Sequence, residues 1–186
     1  MALEQELKAI EEDFEEAYYS RKEDLESLND IDRKIMKMHW GGIVIECFVK
    51  YLIVEKYSMN KMRGIGEWFS NYTENLLREK EQEGQQLKKK DYENYACKLG
   101  RGHDFRNWIK EILKFDTNQI NEDLDIVYEP LDKSFIDLRY EPEDSQEIED
   151  NYEKWKEAYN RVIRWLIGHL DNLTREDYVR DTMGGD

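Results

Sequence analysis

Proline, cysteine and long apolar runs are scarce in this sequence, and each scarcity excludes a class of protein. Only Pro130 and Pro142 occur among 186 residues, so helices can run without interruption, which disfavours the many turns of an all-β fold. Two cysteines, Cys47 and Cys97, lack metal-type spacing and are too few to staple a secreted scaffold; both are expected to remain reduced thiols. The opening stretch, MALEQELKAIEEDFEE, has neither the basic start nor the apolar run of a signal peptide. The most apolar segment, IVIECFVKYLIV at 43–54, falls short of the roughly 20 residues of a membrane span and carries Glu46 and Lys50. The expectation is a cytoplasmic chain with no membrane association. Positive charge is also short: 28 basic against 43 acidic residues give a formal charge of −15. Such a surface repels phosphate backbones and excludes non-specific coating of DNA or RNA, though not a selective local site.

Several chemistries are missing as well. There is no Cys-x-x-Cys, no P-loop and no Gly-x-Ser-x-Gly, and Gly64-Ile-Gly66 lacks the strand and third glycine of a dinucleotide fold. The residues three before His39, His103 and His169 are Met36, Gly100 and Leu166, so the Glu-x-x-His of a di-iron bundle is absent. No metal and no cofactor follows.

What is present is helical periodicity. Leu3, Leu7, Ile10, Phe14 and Ala17 make one apolar stripe on a Glu-rich helix running to about Leu28. Asn29, Asp30 and Asp32 supply turn and cap chemistry, and a second helix is expected from Arg33 to Tyr57. Its apolar residues, from Ile35 to Val54, point in almost every direction, so it should be the central helix, with Gly41 and Gly42 open to close approach by another backbone. Residues 58–99 read as helical, either one helix or two broken near Gly84. Asp104 should cap a helix that buries Phe105, Trp108, Ile109, Ile112 and Leu113 and ends near Phe115. Weak periodicity makes 116–144 a long connection. Asp144 and Glu147 then form a capping-box pair, and Ile148, Tyr152, Trp155, Tyr159, Val162, Leu166 and Leu170 define the last helix, followed by a fraying polar tail at 176–186. The expected fold is all-α: an up-and-down bundle of four to five main helices forming a single domain over 1–175.

Polar residues interrupt this apolar framework. At about 100° per residue, His39, Glu46 and Lys50 share a narrow arc of the central helix, and Glu46 and Lys50 at i and i+4 can pair. A structural ion pair with a satisfied core histidine is one reading of the ribbon. A ribbon facing a cleft is the other. The segment IECFVKYLI, with Glu46 and Lys50 inside an apolar helix, GHDF at 102–105 and DLRYEP, with Arg139 and Tyr140, stand in the order and spacing of the polar motifs of the HEPN family, which this chain resembles. The resemblance implies a helical bundle, frequent homodimers, and work on nucleotides or RNA in toxin–antitoxin or defence systems beside a nucleotidyltransferase partner. It assigns Glu46, Lys50, His103, Asp104, Arg139 and Tyr140 to a ligand site and implies that 58–99 is an inserted helical segment, a departure from the family pattern. At that site Arg139 and Lys50 would hold phosphate, His103 would exchange a proton and Asp104 would orient it.

Ribonucleases of that family are similar in carrying an Arg four to six residues before a His. Arg164 with His169 and Arg33 with His39 have such spacing, without the Arg-Asn start of the motif. On an unbroken helix, side chains five apart diverge by about 140°, so Arg164 and His169 need a bend or a dimer mate to become catalytic. Three functions are therefore expected to compete: a nucleotide- or RNA-binding HEPN-like protein, a non-catalytic dimeric interaction module built on the acidic surface and aromatic last helix, and a metal-independent ribonuclease.

Overall fold

A computed structural model describes residues 13–30, 32–57, 103–142 and 146–183, with the isolated positions 75, 78, 81 and 82. The stripe from Leu3 to Ile10, most of the 58–99 segment, Cys97 and the Asp144 end of the capping box lie outside the described residues. The chain groups into two compact units, one formed by Met1–Asp13 with Ser58–Gly102 and the other by Phe14–Tyr57 with His103–Asp186.

The second unit is all-α, with no strand among the described residues. Helix α1 spans Phe14–Ser27 and α2 spans Lys34–Lys56. Helix α3, Phe105–Asn107, continues as a π-helical stretch Trp108–Leu113, and Lys114 ends it in the left-handed conformation. The 116–144 connection is not structureless: it holds α4, Asn121–Tyr128, and two 3-10 turns, Pro130–Asp132 and Asp137–Tyr140. Its apolar stripe is only Ile120, Leu124 and Val127, all buried, which is too few repeats to stand out as a period in sequence. Helix α5 spans Gln146–Met183, so the backbone stays helical through most of the expected tail. No Gly or Pro intervenes between Gly168 and Gly184, and an established helix propagates by adding one bond per residue without any apolar face.

Helix α2 is central, packing against α1, α3 and its π-helical continuation, α4, α5 and the second 3-10 turn. Val44, Ile45, Val49, Leu52 and Ile53 are fully buried along it. Neighbours on all sides are what an all-round apolar helix requires. Rings, not backbones, exploit the two glycines: Trp155 of α5 lies over Gly41 and Phe135 over Gly42. Phe135 is set there by a pinned loop. Its N–H donates to the Tyr128 carbonyl (2.9 Å), and its own carbonyl accepts from His39 Nδ1 (2.8 Å). Leu131 and Asp132 hold positive φ in the same loop, a conformation that disfavours side chains with a Cβ and persists only where surrounding contacts impose it.

Candidate functional site

The polar ribbon of α2 splits between two duties. His39 ties the loop at Phe135, whereas Glu46 joins Lys50 and His103. The Glu46 side chain is 8% exposed; its Oε1 accepts from Lys50 Nζ at 2.7 Å and its Oε2 meets His103 Nδ1 at 2.8 Å. An ionised carboxylate only accepts, so the proton at this contact sits on His103 Nδ1 and leaves Nε2 as the ring's other nitrogen. His103 itself is 54% exposed, so a buried acid holds an open imidazole. The Lys50 ammonium is enclosed on two further sides, 5.3 Å from the ring centroids of both Phe14 and Trp108. Paired and sandwiched, Lys50 serves Glu46 and is not presented as a phosphate hook.

Asp104 adjoins His103 in sequence but does not orient it. Its Oδ1 accepts the Asn107 backbone N–H (3.2 Å) and its Oδ2 accepts from Asn107 Nδ2 (2.9 Å), which makes it the cap of α3. Glu46 takes the orienting role instead. Sequence order favoured the wrong acid because Glu46 reaches His103 only through packing of α3 on α2. Arg139 lies 4.7 Å over the Tyr140 ring, and both are exposed on the second 3-10 turn. Among the described residues no contact links either of them to Glu46, Lys50 or His103.

The two ribonuclease-type pairs are not assembled within the chain. Arg164 Nε donates to the Asn160 carbonyl at 3.0 Å on the exposed face of α5. His169 stacks on Phe115 (3.8 Å between centroids, 8° between planes) and meets the edge of Trp165 at 4.5 Å. Helix α5 shows no break between them. Arg33 precedes the first turn of α2, while His39 is engaged at Phe135. Burial first, and the nearby Lys56 cation second, depress the His169 pKa below its ordinary value of 6.5. The unfolded chain then binds more protons than the folded one as pH falls through 6.5 toward the lowered value, so stability declines in that window and is unaffected above it. Melting curves of the wild type and His169→Phe, which keeps an aromatic stack but cannot titrate, should coincide in shape above neutrality and separate in favour of the variant as pH falls from 7 to 5. A constant separation across that range would remove the titration argument.

Two features escaped the sequence. Asp123 of α4 is buried and grips Arg161 of α5 through two bonds, Nε to Oδ2 at 2.8 Å and Nη2 to Oδ1 at 2.7 Å. Lys37 is buried on α2, about 180° around the axis from Glu46 and so off the ribbon. The available signal was a lysine between Met36 and Met38 on a helix apolar all round. Lys37 borders a cleft of about 240 Å³ walled by α1, α2 and α5. No group of acidic, His or Cys side chains suited to a metal ion occurs among the described residues, and none of their helices is long and apolar enough to cross a membrane.

No family model matches the chain, and neither a curated protein nor a solved structure matches it.

Proposed function

We propose that this chain is a HEPN-like protein that binds a nucleotide or RNA, acting as a homodimer or beside a nucleotidyltransferase-type partner in a bacterial defence or toxin–antitoxin-type system. The observation that carries the reading is the buried Glu46 carboxylate holding both Lys50 and the exposed His103. In sequence these residues belong to two of the three motifs that suggest the family. In space they meet, across 57 positions of chain. An imidazole fixed through Nδ1 offers Nε2 as an acceptor when neutral and as a charged donor to a phosphate oxygen when protonated. Arg139 and Tyr140 add an exposed guanidinium stacked on a ring, a pairing suited to a phosphate beside a base.

Titration of the wild type, His103→Gln and Arg139→Ala with mononucleotides and short single-stranded RNAs tests this reading. Each substitution should weaken binding by about tenfold or more, the loss expected when one charge-assisted contact is removed, with the helical circular dichroism unchanged. Affinity unaltered in both variants would remove the basis for placing the ligand there.

A further inference from the structure

We propose that the cleft between α1, α2 and α5 is a second site, built for a small phosphomonoester that carries a planar ring. The carrying observation is Lys37. It is 9% exposed, yet its ammonium meets only the Asn29 carbonyl at 3.4 Å and the face of Tyr152, 5.7 Å from the ring centroid. Among the described residues no carboxylate pairs with it. The Asp32 carboxylate acts on Lys37 through space while bonded to Lys34, so an anion entering the cleft would supply the direct partner that this enclosed lysine lacks.

The charge of the lining selects the anion. Lys22, Lys37 and Lys156 line the cleft with Glu26, a concentration of ammonium groups in a chain whose formal charge is −15, with Asp32 and Glu153 just beyond the lining. A phosphomonoester, with about −1.5 to −2 charge at neutral pH and three terminal oxygens, can meet more than one of these ammonium groups at once, which a single carboxylate does less well. Lys22 reaches Glu26 only at 3.9 Å and Lys156 reaches Glu153 only at 4.0 Å, both through exposed side chains. Such loose surface pairs contribute little and are readily exchanged for a phosphate. Trp155, 3% exposed, borders the same cleft, and its buried Nε1–H has no acceptor, so donors outnumber acceptors here too.

The walls select the rest of the molecule. Tyr152, Trp155 and Tyr159 lie in a row along α5 with planes 21° and 24° apart, and Ile163 of the same helix and Leu25 of α1 complete the apolar lining. A volume of about 240 Å³, below the common range of ligand pockets, suits a phosphomonoester no larger than a pyrimidine mononucleotide and excludes a strand of nucleic acid. The site uses none of Glu46, Lys50 or His103, so it stands independently of the function proposed above.

Calorimetric titration of the full chain with UMP, uridine and inorganic phosphate tests the proposal. UMP should saturate the protein and bind at least about tenfold more tightly than either uridine or phosphate alone. Lys37→Met should lower UMP affinity at this cleft by about tenfold or more. His103→Gln should leave this UMP site unchanged, so the comparison is made in that background. Failure of UMP to saturate at millimolar concentration, UMP binding no tighter than phosphate, or UMP binding to His103→Gln that adding Lys37→Met does not weaken overturns the proposal. Loss with His103→Gln and retention with Lys37→Met would overturn it while favouring the His103 site.

Discussion

Gly42→Ala should destabilise the protein by about 3 kcal/mol or more, although the same change in an open helix stabilises by about 1 kcal/mol. A Cβ at position 42 would sit 2.2 Å from Phe135 Cδ2 and 2.3 Å from its Cγ, well inside contact distance. Phe135 has little room to retreat. It is fully buried, rests against Phe105 and Tyr128 at 5.7 and 5.8 Å between centroids, and is tethered through both its N–H and its carbonyl. Overpacking therefore outweighs propensity. Gly168, on the exposed face of α5, is the control, because nothing lies within 4 Å of a Cβ built there; Gly168→Ala should gain up to about 1 kcal/mol. Urea midpoints of the two variants should move in opposite directions. Combining Gly42→Ala with Phe135→Leu should lose less than the sum of the single changes, since the smaller side chain yields the contested space. A Gly42→Ala midpoint at or above the wild type would refute this packing.

Glu46→Ala should cost about 3–5 kcal/mol, the range for breaking a buried pair, and not the 0–1 kcal/mol of a surface one. The choice between those ranges rests on exposure. Glu46 is 8% and Lys50 21% exposed, and the ammonium is flanked by Phe14 and Trp108, so loss of the acid strands a poorly solvated cation. Lys50→Met in the Glu46→Ala background should restore a substantial part of the loss by removing that cation, whereas two independent sites would give additive losses. A second readout concerns His103. Its Nδ1–H tautomer is held by Glu46, so nitrogen shifts of the imidazole should move toward those of a free ring in Glu46→Ala. A loss under 1 kcal/mol with unchanged His103 shifts would show that the trio is solvated and does not act as a unit.

The all-α fold is legible because its signals are local. Four-and-three spacing in α5, the all-round apolarity of α2 and the Asp104 cap each depend on residues within a few turns, and each reappears in the coordinates. Helix α4 was missed because three apolar positions do not establish a period, and its anchoring Asp123–Arg161 pair spans 38 positions. At Gly41 and Gly42 rings stand where a backbone is expected, because which atoms approach depends on where the 129–136 loop delivers Phe135 and on the phase at which α5 passes α2.

The candidate site divides along the same line. Sequence by itself determined that the acid and base share one face of a helix in an all-α protein and that the histidine adjoins a helix cap, because residue type and helical phase decide which face of an element is polar. Only the tertiary structure decided that Glu46, and not Asp104, holds His103, that Arg139 stands apart, and that Lys37 is enclosed without a direct ion pair. Those facts are distances between segments far apart in the chain. Ion pairing and desolvation act over a few ångströms of space, and one-dimensional spacing fixes such distances only within a single helix.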